Sequence, residues 1–249
     1  MPNRINALKT LDKKSSFLSL LHKHVVTYKT KLFIFRKTGL LKKVRCPMNL
    51  YDYQFYSDYN SQRSRTYHYN QIANNTEMTI AQWVEAFGTV LSAIGNTPIE
   101  FLSSDFLYDI NLVGDVLQVS ATSVQLDAET KLTYNSLGNM LQIVGNSEEI
   151  AGYILFKNDQ TVQNILVNQG NAIQVVGIGS SLVFFLAHKR NLVNIYNIYA
   201  NLIQMIGLSI QMLSTISTLT KEQSQTLNVV GNWTQAIGAI LAAIAQSLD

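Results

Sequence analysis

A chain of 249 residues with 47% hydrophobic and 14% charged side chains is long enough to bury a full core, and its single cysteine, Cys46, excludes an internal disulfide and any cysteine-based zinc cluster. The net charge of +3 averages two unlike parts: residues 1–50 hold twelve Lys and Arg against one Asp, which leaves seven basic against fifteen acidic side chains in residues 51–249. From Thr161 onward only Lys189, Arg190, Lys221, Glu222 and Asp249 are charged, which is sparse for a water-facing surface and points to self-association or a lipid contact.

The chain divides at a change of character near residue 77. Residues 1–50 interleave Phe17, Leu18, Leu20, Leu21 and Leu32 to Phe35 with Lys and Arg, and residues 51–69 hold six tyrosines. The short apolar stretch Phe17 to Leu21 runs at once into His22, Lys23 and His24 and lacks a small-residue cleavage site, so no signal peptide is expected. Three readings of this arm stay open: a disordered extension, a basic amphipathic segment for a membrane surface or nucleic acid, or sequence upstream of a start at Met48 or Met78. The first and third are favoured, because the charges follow no amphipathic period. We therefore divide the chain into 1–77, a basic then Tyr-rich extension, and 78–249, a repetitive helical body.

The body reads as six helices, roughly 78–95, 100–126, 129–156, 160–187, 190–218 and 221–248. Gly95-Asn96-Thr97-Pro98, Lys157-Asn158-Asp159, Lys189-Arg190 and Thr218 to Glu222 are the breaks between them. The break near Asp127 is weak, so the second and third helices are candidates for joining. Long helices with short links favour antiparallel neighbours, and the expected fold is all-α, an antiparallel up-and-down bundle.

One phrase recurs through this body, approximately Gly-Asn-x-Φ-Gln-x-Φ-Gly with Φ apolar. It starts at Gly88, Gly114, Gly138, Gly170, Ala200 and Gly231, spaced 24 to 32 residues apart. On a helix the two small residues seven apart fall on one line, and the Gln four after the first lies about 40° away. A further polar position three before the first small residue carries Glu85, Asn111, Asn135, Asn197 and Asn228, departing only at Val167, and Gln125 and Gln211 extend the face by a heptad. The expected packing face comprises Gly88, Gly114, Gln118, Gly138, Asn139, Gln142, Gly145, Gly170, Asn171, Gln174, Gly177, Asn201, Gln204, Gly207, Gly231, Asn232, Gln235 and Gly238. Each helix-interior Gly costs about 1 kcal/mol relative to Ala, so something must offset the loss. Close approach of another helix, with Asn and Gln hydrogen-bonding across the contact, is the compensation we expect. The ends supply an internal check, since Trp83 to Gly95 matches Trp233 to Ala245 position by position.

Membrane spans satisfy length but not polarity. Residues 191–220 and 223–248 carry no charge at all, yet the first run holds Asn191, Asn194, Asn197, Asn201, Gln204 and Gln211, and the second is interrupted by Gln225, Asn228, Asn232 and Gln235. A membrane reading requires those polar faces to turn inward.

Reactive constellations are missing. His188 beside Lys189 and Arg190 reads as a solvated helix-end cation, and His22 and His24 lack further metal ligands. Glu148-Glu149 points in two directions on a helix and reads as solvated, while Gly177-Ile178-Gly179 lacks the third glycine of a dinucleotide loop. Trp83 and Trp233 read as core or interface anchors. No catalytic residue, cofactor or metal site is assigned, and neither nucleic acid nor a small-molecule substrate is expected.

The run Trp83 to Pro98, followed by Asn111-Leu112-Val113-Gly114-Asp115-Val116-Leu117-Gln118, resembles a family of repetitive helical proteins from spore-forming Gram-positive bacteria. The resemblance covers about residues 78–249 and implies no activity, substrate or cofactor. The expectation is a non-enzymatic structural or protein-interaction bundle, cytoplasmic and self-associating as a homo-oligomer through its Gly/Asn/Gln faces. The alternative is a membrane-associated or membrane-embedded bundle with the basic arm at an anionic surface.

Overall fold

The computed structural model describes residues 75–129, 131–215 and 218–248, and the expectations for the arm lie outside this range. Six α-helices make up the described chain, and it contains no strand. The first, α1, covers residues 75–95. It is followed by α2 (Ser104–Ala128), α3 (Tyr134–Leu155), α4 (Gln160–Ala187), α5 (Leu192–Ser214) and α6 (Lys221–Ser247).

Capping explains where the helices begin. Ser103, Thr133, Asp159, Asn191 and Thr220 each stand at an N-cap, and the side chain accepts a hydrogen bond from the backbone N–H three residues on. At Thr133 the cap is reciprocal: Ser136 N–H donates to Thr133 Oγ1 at 3.0 Å, and Thr133 N–H donates to Ser136 Oγ at 3.0 Å. This box separates α2 from α3, which the residues around Asp127 left unsettled. It also starts α3 at Tyr134, later than the expected 129, just as Ser103 starts α2 at Ser104 instead of 100.

Consecutive helices run antiparallel, and among α2–α6 packing is confined to consecutive pairs, with α3 on α4 and α5 on α6 the most extensive. The first and last helices also meet. Trp83 Nε1 on α1 donates to Ser247 Oγ on α6 at 2.9 Å, and Trp233 Nε1 on α6 donates to Thr97 Oγ1 just beyond α1 at 3.0 Å. The two bonds are reciprocal, as expected of antiparallel copies, and Ala86, Ala239 and Ala243 pack together as a buried cluster along the same seam. Neither indole is fully buried; each holds the seam from its edge. With each helix touching its two neighbours, the six form a closed ring.

Glycine sets the spacing within the hairpins. A Cβ at Gly88 would stand 2.7 Å from the Gly114 carbonyl oxygen, one at Gly170 2.6 Å from Gly145 O, and one at Gly207 2.7 Å from Gly231 O. Moving seven residues forward on one helix moves the contact seven residues back on its partner: Gly138 faces Gly177 where Gly145 faces Gly170, and Gly207 faces Gly231 where Gly238 faces Ala200. Gly179 differs, because only Met205 Cε, at 3.8 Å, comes near its would-be Cβ. Gly207→Ala is therefore expected to lower stability by about 1–3 kcal/mol through overpacking against Gly231 and Gln235. Gly179→Ala should instead raise stability by up to about 1 kcal/mol through helix propensity. Thermal unfolding followed by circular dichroism separates the two, and equal shifts would remove glycine proximity as the cause.

Candidate functional site

The same close approach carries polar side chains inward. The residue four after each small residue lands against the glycine of the facing helix. Gln174 stands opposite Gly145 and Glu149 opposite Gly170; Gln211 stands opposite Gly231, Gln204 opposite Gly238, and Ser92 opposite Gly114. Would-be Cβ atoms at Gly231 and Gly238 meet the Cγ of Gln211 and Gln204 at 2.6 Å. Glycine thus accommodates both the partner backbone and the stem of a polar side chain, whose head group then points past the contact. All the residues of the expected face are buried except Gln142, which is half-buried at the rim of a cavity.

The centre of the ring is consequently polar. Apart from Leu107, Leu166, Ile178 and Leu208, the buried hydrophobic side chains are alanines, whereas the buried polar set includes Glu85, Asn111, Asp115, Gln118, Asn139, Asn146, Glu149, Asn171, Gln174, Gln204, Gln211, Asn232 and Gln235. Two cavities lie inside, and each is lined by residues of all six helices. One is an open vestibule of about 480 Å³ bordered by Gln82, Glu85, Gln125, Asn139, Gln142, Asn201, Gln204 and Gln246, where α1, α3 and α5 start and α2, α4 and α6 end. The other is a chamber of about 20 Å³ further in, where Val167 alone among the lining residues is not polar.

Hydrogen bonds bridge each hairpin at this level. In α1/α2, Ser92 Oγ donates to Asp115 Oδ1 at 2.7 Å and Gln118 Nε2 donates to Ser92 Oγ at 3.1 Å. In α3/α4, Gln174 Nε2 donates to Glu149 Oε1, and in α5/α6, Gln211 Nε2 donates to Gln235 Oε1 at 2.8 Å. Nearer the vestibule, Glu85 accepts from Gln125 Nε2 at 2.6 Å and from Gln82 Nε2 at 3.2 Å. At the opposite end an amide cluster joins α1, α2 and α6. Asn96 Nδ2 donates to Asn111 Oδ1 at 2.7 Å and to Asn232 Oδ1 at 3.4 Å, and Asn228 Nδ2 donates to Asn96 Oδ1 at 3.0 Å.

Three carboxylates, Glu85, Asp115 and Glu149, are thus buried among amides and hydroxyls, and no Lys, Arg or His is buried among the described residues. Burying a carboxylate without a cation is costly unless hydrogen bonds or a ligand stabilise it. The expectation that Glu148-Glu149 is solvated is corrected for Glu149, because its helix turns it into the ring while Glu148 stays half-buried. Register carried the missed signal: Glu149 stands four after Gly145, in the Gln position, and Asp115 directly follows Gly114, in the Asn position. His188 is exposed at the C-cap of α4, its Nδ1 2.7 Å from Phe184 O. Among the described residues no group of three or more His, Cys, Asp or Glu is arranged to hold a metal.

The class defined by this geometry is an all-helical closed bundle with a polar, acidic interior. The chain belongs to a family of unknown function (DUF6944), whose model matches residues 76–243. Neither a curated protein nor a solved structure matches it.

Asn96 links three helices through one side chain. Asn96→Ala is expected to lower stability by about 1–3 kcal/mol, because buried Asn111 and half-buried Asn228 each lose a hydrogen-bond partner. Chemical denaturation compared with the wild type measures this, and an unchanged midpoint would mean that water replaces the amide without loss.

Proposed function

We propose that this protein is a non-enzymatic, membrane-embedded helical ring that holds a polar interior within the bilayer. The observation that carries the reading is inverted polarity: the ring buries Asn171 and Gln174, each 2% exposed, while Phe87 (59%), Val176 (63%) and Ile237 (57%) face outward. In water the opposite arrangement lowers the free energy, and an apolar surface this extensive requires an apolar partner.

The outer surface supports a lipid partner in three ways. First, no charged residue occurs within α4 or α5, and on α6 none occurs between Gln223 and Ser247. At 1.5 Å per residue these runs span about 35–42 Å, enough to cross a hydrocarbon core of about 30 Å. Outside the interior, the remaining charges of the described chain cluster toward the two ends, with half-buried Glu148 set furthest in. Second, the hydroxyls of Ser120, Ser123, Ser209 and Thr234 bond to the carbonyl four residues back on their own helix. This satisfies a polar group where no water is present. Third, α4 and α6 are long and apolar enough to cross a membrane, with mean hydropathies of 1.6 and 1.3. That feature is weak support alone, but the other helices are lowered on such a scale by the inward faces that the ring conceals.

Charge at the ends supports an orientation. Lys131, Lys189 and Arg190 lie at the vestibule end, and Lys157 and Lys221 lie at the other end. The positive-inside rule then directs the vestibule and the C-terminus to the cytoplasm.

Flotation with liposomes after an alkaline carbonate wash tests embedding, with the protein expected in the floating fraction. Val176→Lys and Ile237→Lys, each placing a charge at an outward position, should reduce that fraction. A wild-type protein left in the soluble fraction as a defined oligomer would instead support burial of the apolar face between copies of the chain. Reporter fusions at the C-terminus check the orientation: activity only outside the cytoplasm would reverse it.

A further inference from the structure

The inner chamber carries features that hairpin packing does not require. Asp115 and Glu149 both line it, one from α2 and one from α3. Each is acidic at a position where other helices carry an amide: Asn139, Asn171 and Asn232 follow their glycines where Asp115 follows Gly114, and Gln174, Gln211 and Gln235 stand where Glu149 does. Packing is therefore satisfied by Asn and Gln, and the two carboxyl groups need another reason.

Unpartnered oxygens supply an independent observation. Asp115 Oδ2 and Asn171 Oδ1 are buried without a hydrogen-bond partner, in side chains 4% and 2% exposed, and both residues line the chamber. The acceptors come from α2 and α4, so a single small species in the chamber can engage elements separated around the ring. Glu149 adds a carboxylate whose Oε1 accepts from Gln174 Nε2.

We propose that the chamber binds one hard metal cation of the alkali or alkaline-earth class, held by Asp115, Glu149 and Asn171. Oxygen donors without nitrogen or sulfur select this class over zinc or copper. The chamber, at about 20 Å³, has room for one species the size of a water molecule or a small ion. A bound cation would stabilise the ionised form of two buried carboxyl groups that no buried basic side chain accompanies among the described residues.

The repeat provides a variant suited to the test. D115N/E149Q installs the residues that the other helices carry at these positions, so the chain is expected to fold while losing both carboxyl groups. The full chain, purified in detergent and treated with a chelator, is titrated with CaCl2 or NaCl while its thermal unfolding is followed. In the wild type, one of the two salts at about a hundredfold excess over its Kd should raise Tm by about 5–10 °C. The shift should vanish in D115N/E149Q and fall in Asn171→Leu. No shift with either salt, or an equal shift in the double variant, would overturn the site. Binding in detergent is read independently of flotation, so failure of the membrane reading and failure of the cation site are separate results.

Discussion

The contact on which the rest of the molecule depends is the reciprocal fit of a glycine on one helix against the backbone and one polar side chain of the next. Neither half suffices. Without glycine the helices stand further apart and the side chain has no recess; without the side chain, the recess loses the dispersion contacts that offset the helix propensity of glycine. Because the relation is mutual, each pair of glycines seats two polar stems. Their head groups have nowhere to go but the space between hairpins, and the interior becomes polar through packing itself.

This interior makes demands of its own. An amide or carboxylate removed from water must find partners, and a network that is only partly satisfied is worse than an apolar core. The three hairpins meet that requirement differently: α5/α6 with an amide pair, α3/α4 with an amide and a carboxylate, and α1/α2 with a hydroxyl, a carboxylate and an amide. The seams between hairpins rest on other contacts. Small alanines and two edge indoles close α1 against α6, and Tyr108 on α2 donates to Tyr153 O on α3 at 2.6 Å. Residues of all six helices meet in this interior, with Asp115 and Glu149 on its wall.

Much of the fold was legible in the residues. The breaks at Gly95 to Pro98, Lys157 to Asp159, Lys189-Arg190 and Thr218 to Glu222 separate the helices as expected, whereas the caps Ser103 and Thr133, which start α2 and α3 four and five residues later than expected, went unread. Matching Trp-containing ends foreshadow the closing seam. What could not be read was which environment lies on each side of the helices. A stripe of Asn and Gln suits a helix contact, a lumen or a wet surface equally, and only closure of the ring distinguishes them. Glu149 was misread for the same reason: its neighbour Glu148 suggested a solvated pair, whereas the governing relation was its distance from Gly145. The extent of the outward apolar surface was obscured because hydropathy along one helix averages its two sides.

The shared spacing of small residues on the six inward faces has a consequence for how such a wall can be built. Antiparallel staves with interchangeable contacts can close only in even number, since the first and last must also run in opposite directions to meet. Adding or removing one hairpin preserves every rule of contact and alters only the curvature of the wall. The width of the interior is then set by the number of hairpins in the wall, with no redesign of any single surface.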